Sequence, residues 1–146
     1  MDIAVIGAGT MGHALALVYA LGGHQVRLHD NNAETLARAP GLMANALNLL
    51  AEGGEVDASW NRQRLSAAVR CCASLVETVA GAEMVQEAII ETREAKQALY
   101  EQLDALMRPD CILASNTSQL DIFPLVPAAR QARTVIAHWY TPPYLC

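Results

Sequence analysis

Residues 2–12 read Asp-Ile-Ala-Val-Ile-Gly-Ala-Gly-Thr-Met-Gly, a short apolar strand running straight into G-x-G-x-x-G. Such a junction leaves a chain few folds. A buried strand followed at once by a helix suits a parallel sheet covered by helices. Each glycine has a separate task. Gly7 makes the tight turn out of the strand. Gly9 lets backbone amides approach a pyrophosphate. Gly12 lets the helix pack close to the sheet. The helix N-terminus then turns its partial positive charge toward the phosphates. The next apolar stretch, Gln25–His29, ends in Asp30, where a carboxylate can accept both ribose hydroxyls of an adenosine. A glycine-rich turn without a ligand accounts for the glycines but not for Asp30. The expectation is a dinucleotide site formed by Gly7, Gly9, Thr10, Met11, Gly12 and Asp30.

Asp30 also selects among cofactors. A carboxylate repels a 2′-phosphate, and the residues that follow are Asn31 and Asn32 rather than arginine. NAD is therefore favoured over NADP. FAD uses the same fingerprint, and residues 1–30 leave it open.

Further along, apolar strand-like stretches alternate with helical ones. That alternation predicts an α/β fold: a Rossmann-type, doubly wound, mostly parallel sheet with helices on both faces. Strands are expected near 2–6, 25–29, 69–72, 84–89, 111–115 and 134–139. The first helix runs from about Thr10 to Leu21 and stops at Gly22-Gly23. A second helical region covers about 33–52, broken or kinked at Pro40-Gly41 and ended by Gly53-Gly54. Residues 62–68 add a helical turn or two. From about Arg93 to Met107, Ala95, Leu99, Leu103 and Leu106 recur at the helical period.

With 146 residues, 53% of them hydrophobic and 17% charged, the chain can bury a single core. The net charge is −5 and the basic residues are scattered, so nucleic acid is not an expected partner. The longest apolar run, Ala14 to Leu21, is too short to span a bilayer, and Met1 leads directly into the first strand. Neither a membrane partner nor a signal peptide is expected. Adjacent Cys71 and Cys72, with Cys111 and Cys146 far off, suit neither a disulfide framework nor metal-ligand spacing. The expected compartment is a reducing cytoplasm, and no metal is expected.

Past residue 84 the pattern becomes more specific. Val85-Gln-Glu-Ala-Ile-Ile-Glu91, Ala114-Ser-Asn-Thr-Ser118 and Ala137-His-Trp-Tyr-Thr-Pro-Pro143 occur in the order seen in the L-3-hydroxyacyl-CoA dehydrogenase superfamily. Essentially the whole chain resembles the N-terminal NAD-binding domain of that superfamily. In motif form it resembles most the branch containing lambda-crystallin, an L-gulonate 3-dehydrogenase. The resemblance implies NAD as cofactor, with Ala88, Glu91, Lys96 and Asn116 joining the glycine loop and Asp30 in holding it. It implies that Ser118 hydrogen-bonds the reacting oxygen and that His138 is the catalytic base. It also implies a small-molecule substrate, a place in fatty acid metabolism and a homodimer in the full-length protein. Residues 1–146 would be the NAD-binding domain, without the family's C-terminal helical domain. Such a chain is expected to bind NAD while turning over little or no substrate.

The residue types support the same chemistry independently. Oxidising a secondary alcohol needs a proton acceptor at the hydroxyl while hydride leaves the carbon, and histidine suits that near neutral pH. His138 is expected to end a strand at the carboxyl edge of the sheet, and Ser118 follows another strand there. The two could converge on one substrate oxygen. The plain alternative for His138 is a packed histidine bonded to backbone. For His13, His24 and His29 that plain reading is preferred, and Trp60 and Trp139 read as packing. Glu91 and Lys96, the chain's one lysine, are either a site pair or a solvated pair at a helix start.

Three departures from the family pattern bear on substrate and activity. Thr141 stands where the family has an asparagine that helps hold substrate. Between Asn31 and Asn61 the only basic residue is Arg38, against Glu34, Glu52, Glu55 and Asp57, so a 3′-phospho-ADP group would meet little positive charge. That favours a smaller 3-hydroxy acid over a CoA thioester. The family's glutamate partner of the histidine lies about a dozen residues past it, beyond Cys146. A non-catalytic NAD-binding or structural, crystallin-like protein is the competing reading, and it has no need of a Ser118/His138 pair. The 6-phosphogluconate and 3-hydroxyisobutyrate dehydrogenase type also begins G-x-G-x-M-G. Its lysine base sits on a later helix than Lys96.

Overall fold

The computed structural model describes residues 1–145. Six strands form one sheet: β1 (Asp2–Ile6), β2 (Gln25–His29), β3 (Val69–Cys71), β4 (Met84–Glu87), β5 (Ile112–Ser115) and β6 (Thr134–Ile136). Their order is β3-β2-β1-β4-β5-β6, and every pairing is parallel. The chain thus winds outward in one direction from β1 and then in the other from β4. The crevice between β1 and β4, at their carboxyl ends, is where such sheets bind ligands. This is the doubly wound Rossmann arrangement expected from the sequence.

Alternation along β1 explains why a continuous apolar run is needed. Ile3 and Val5 pack on one face with α1 (Gly12–Leu21), α2 (Ala33–Glu52) and α3 (Arg62–Ala68). Ala4 and Ile6 pack on the other face with Val85, Leu113 and the apolar side of α5 (Arg93–Leu106). Both faces are covered, so both sets must be apolar.

The boundaries follow local chemistry. Asn32 caps α2 by accepting from the Thr35 amide, and Asn61 caps α3 by accepting from the Arg64 amide. Gly23 and Gly54, at φ 83° and 73°, turn the chain after α1 and α2. Of the break or kink expected at Pro40-Gly41, the break is absent: α2 runs as a single 20-residue helix through Pro40. Proline forfeits one backbone hydrogen bond. Ala39 before it and Met43, Ala46, Leu47 and Leu50 beyond it are all buried on the same core, which holds both halves against the sheet. A short helix, α4 (Leu75–Val79), has no counterpart in the sequence reading. Its five residues are too few to show a period, although Ser74 caps it. No helix among the described residues is long and apolar enough to cross a membrane. Cys71, Cys72 and Cys111 are free thiols, and Cys146 lies outside the described residues.

Candidate functional site

The glycine loop opens the crevice. Gly7 has φ 98°, and a Cβ there would meet the Ala88 carbonyl oxygen at 2.4 Å. A Cβ on Gly12 would sit 1.6 Å from the Gly7 carbonyl oxygen. Those two glycines are demanded by the protein's own backbone. Gly9 differs, because a Cβ there meets nothing within 4 Å. Its missing side chain faces open space. The first turn of α1 carries no side-chain cap, so its N-terminal amides are available to an anion.

A groove of about 770 Å³ runs from this loop, bordered by Gly7, Gly9, Asp30, Asn31, Ala88 and Ile90. Asp30 stands at its β2 end. One carboxylate oxygen accepts from the Ala8 amide at 2.7 Å and the other from the Asn32 amide at 2.8 Å. Each oxygen retains a second lone pair for a ribose hydroxyl. Asp30 therefore ties the glycine loop to β2 as well as marking the groove. These features fit a dinucleotide: an uncapped helix start, an open space at Gly9 and a carboxylate at the far end.

Ser118 and His138 meet in the segments that follow β5 and β6. Ser118 Oγ and His138 Nε2 are 3.0 Å apart, and both side chains are exposed. The expectation that His138 ends a strand needs correction. β6 stops at Ile136, and His138 lies in the segment that leaves the sheet. The Ala137 amide still donates to the Ser115 carbonyl, but the Trp139 amide donates to Asn116 Oδ1 at 2.7 Å. Asn116 thus replaces the strand ladder and turns the chain at the histidine. Trp139 packs edge-on against Tyr19, and His13, His24 and His29 each have a hydrogen-bond partner, the Gly9 carbonyl, the chain's amino terminus and the Cys72 carbonyl.

Glu91 follows Ile90 of the groove and binds the loop that carries Ser118. One oxygen accepts from Thr117 Oγ1 at 2.5 Å and from the amides of Ser118 and Gln119 at 2.8 and 3.2 Å. The other lies 3.1 Å from Lys96 Nζ. Lys96 is not a solvated lysine. It is 1% exposed, and its Nζ is 2.7 Å from a carboxylate oxygen of Glu87, which is wholly buried. Glu87 takes three further donors: the Ile89 amide, Tyr100 Oη and Ser115 Oγ. Burial, and then the charge of Glu87, drive the Tyr100 hydroxyl well above its usual range, so it stays protonated as a donor. Glu87, Tyr100, Ser115 and Thr117 escape a reading of the sequence. The available signal is a glutamate inside the stretch expected as a buried strand, 84–89, which a two-sided buried sheet does not admit without a partner.

Thr10 stands exposed at the tip of the glycine loop, and Met11 beside it receives a contact from the chain's far end. The Thr141 hydroxyl donates to Met11 Sδ at 3.0 Å.

The Glu91 carboxyl is held at about 2, against an ordinary 4.5. Burial pushes it upward. The Thr117 hydroxyl, the amides of Gln119 and Ser118, and Lys96 pull it down and prevail. A carboxyl depressed on folding anchors its loop fully above its unfolded value and loses that contribution as pH falls through the folded one. The Ser118 and Gln119 amide resonances should follow that folded value, holding steady down to about pH 3 and moving with a midpoint at about pH 2. In Glu91→Gln, NMR spectra over the same range should show no such step at these two amides.

The sheet order and the glycine loop together define a nucleotide-cofactor domain of the dehydrogenase type, and the same chain carries a serine–histidine pair. The chain belongs to the 3-hydroxyacyl-CoA dehydrogenase family: residues 2–146 match its NAD binding domain. It is 35% identical over 144 residues to a probable 3-hydroxybutyryl-CoA dehydrogenase of Deinococcus radiodurans, covering 97% of this chain and 50% of that protein. It is 29% identical over 145 residues to the human lambda-crystallin homolog, covering 97% of this chain and 45% of that protein. The solved 3-hydroxybutyryl-CoA dehydrogenase of Escherichia coli K12 superposes with a TM-score of 0.87 at 33% identity, over 98% of this chain and 30% of that one. The chain spans about half the length, or less, of the relatives it matches. Its cofactor is NAD.

Proposed function

We propose that this domain serves the NAD-dependent oxidation of the 3-hydroxyl of a 3-hydroxyacyl-CoA or a free 3-hydroxy acid. The observation that carries the reading is the Ser118–His138 pair at 3.0 Å, whose serine amide donates to Glu91, the residue next to Ile90 of the groove. NAD, when bound, takes up the hydride. His138 Nε2 accepts the hydroxyl proton, and Ser118 Oγ hydrogen-bonds the same substrate oxygen. The glycine loop and the start of α1 hold the pyrophosphate, Asp30 holds the adenosine ribose, and Ala88 and Ile90 wall the groove. Glu91 and Asn116 shape the nicotinamide end. The natural working form is a homodimer in the cytoplasm.

The 31–61 region, poor in positive charge, favours a free acid, while Arg62 in the groove between α2 and α3 offers a cation to a CoA phosphate. Parallel steady-state assays of the full-length protein with a 3-hydroxyacyl-CoA and with the matching free acid decide between them. No NAD reduction with either substrate would defeat the dehydrogenase reading and favour the non-catalytic one.

The cofactor preference has its own test. Calorimetry on the unaltered chain should show NAD bound more tightly than NADP. Asp30→Ala should weaken NAD by roughly tenfold, about the worth of one charge-assisted hydrogen bond, and narrow the preference. Equal affinity for the two cofactors before mutation would remove the role assigned to the carboxylate.

A further inference from the structure

We propose that Lys96, with Glu87 as its buried counter-charge, is a positioning residue that sets Glu91 and, through it, the Ser118 end of the Ser118–His138 pair. This rests on the reading of that pair as the reacting one. The contacts form an unbroken line. Glu87 has four donors: Lys96 Nζ and the Ile89 amide on one oxygen, Tyr100 Oη and Ser115 Oγ on the other. It cannot move without breaking all four. Lys96, held by it, turns its remaining reach to Glu91 at 3.1 Å. Glu91 then accepts from the backbone of Ser118 and Gln119 and from the Thr117 hydroxyl. Ser115 receives the Thr117 amide at 3.3 Å, so Glu87 grips the same loop from its other end.

The charge count argues for position over stability. Two carboxylates share one ammonium, and two of these three groups are out of water. A buried ion pair repays its desolvation poorly, and apolar residues of similar volume often hold a core as well. What an apolar substitute does not supply is a directed donor to Glu91. Glu91 is 37% exposed, and without Lys96 only the Thr117, Ser118 and Gln119 contacts on its other oxygen would hold it against solvent. The amide anchor that aims the Ser118 hydroxyl at His138 would then be weaker. Lys96 itself, 1% exposed, acts on the site through Glu91.

The test is the double variant Glu87→Gln/Lys96→Met, which removes both buried charges together and leaves no orphan. Amide exchange by NMR reads the loop and the core separately. The expected result is exchange at Ser118 and Gln119 faster by on the order of tenfold, the loss of one charge-assisted hydrogen bond. The His138 ring resonances should move with it, while β1 and β5 amides keep their protection. Unchanged Ser118 and Gln119 amides would overturn the proposal. So would a uniform rise across the sheet, which marks a merely structural pair. If the double variant does not fold, Glu87→Gln alone decides. It keeps an oxygen for its donors but drops the charge, and should shift the same two amides by less.

NAD calorimetry on the same proteins separates this from the dehydrogenase reading. A variant that loses NAD affinity while its Ser118 and Gln119 amides stay protected makes Lys96 a direct cofactor contact and overturns the positioning role. An unaltered chain that binds no NAD refutes the dehydrogenase reading, whereas faster exchange at those two amides still upholds the coupling.

Discussion

Replacing His138 with alanine in the full-length protein is expected to lower kcat by roughly two to four powers of ten and leave NAD affinity nearly unchanged. The reason is geometric. His138 lies beyond the end of β6 and touches Ser118, not the glycine loop or Asp30. Removing its ring takes away the proton acceptor and no group that holds the dinucleotide. Ser118→Ala should act in the same direction but more mildly, since it deletes one hydrogen bond and leaves the base in place. Its backbone amide would still donate to Glu91, so the loop should keep its shape. Steady-state kinetics paired with NAD calorimetry check both. A His138→Ala protein with unimpaired turnover would make the histidine an ordinary surface residue.

Gly12→Ala should cost both stability and cofactor binding. The new methyl carbon would fall 1.6 Å from the Gly7 carbonyl oxygen, a backbone atom with no side-chain freedom to yield. Either α1 moves away from β1 or the loop unwinds. Overpacking of this kind typically costs about 1–3 kcal/mol and can cost more. The N-terminal amides of α1 would shift with it, and NAD affinity should fall by on the order of a hundredfold or more, since those amides carry the phosphate contacts. Gly9→Ala is the matched control. Its methyl meets nothing in the protein, so thermal stability should change by no more than about 0.5 kcal/mol. NAD affinity should still drop, because the methyl occupies the space a pyrophosphate needs. Thermal unfolding and calorimetry on the two variants separate a glycine required by the fold from one required by the ligand. A Gly9→Ala chain with full NAD affinity would displace the pyrophosphate from that loop.

The sheet and its glycine loop were open to inspection in the sequence because their causes are local. Most strands are short apolar runs, α2 and α3 start at a capping asparagine, α1 and α2 end at glycines, and Gly12 answers to Gly7 five residues before it, although Gly7 itself also answers to Ala88 from far along the chain. Asp30 is legible for a similar reason: it closes the second strand at a set distance from the loop. Pro40 misleads because a local rule is outweighed by burial of the α2 face on both sides of it. His138 is placed at a strand end by pattern, yet Asn116, from 23 positions before Trp139, takes the Trp139 amide that would have continued the ladder.

Lys96 shows the limit most clearly. Its position is visible, and so is its family resemblance, but helical periodicity counts a lysine as a surface residue. The buried face of α5 in fact reads Lys96, Leu99, Tyr100 and Leu103. A charge can lie there only because docking of α5 on the sheet brings it against Glu87 at the end of β4 and Glu91 in the loop beyond. An isolated buried ammonium would be prohibitively costly, and its partners come from other elements. The residues and the backbone rules are therefore enough for the cofactor fold. The burial of Lys96, and the way it reaches Ser118, depends on which surfaces meet when the helix packs on the sheet.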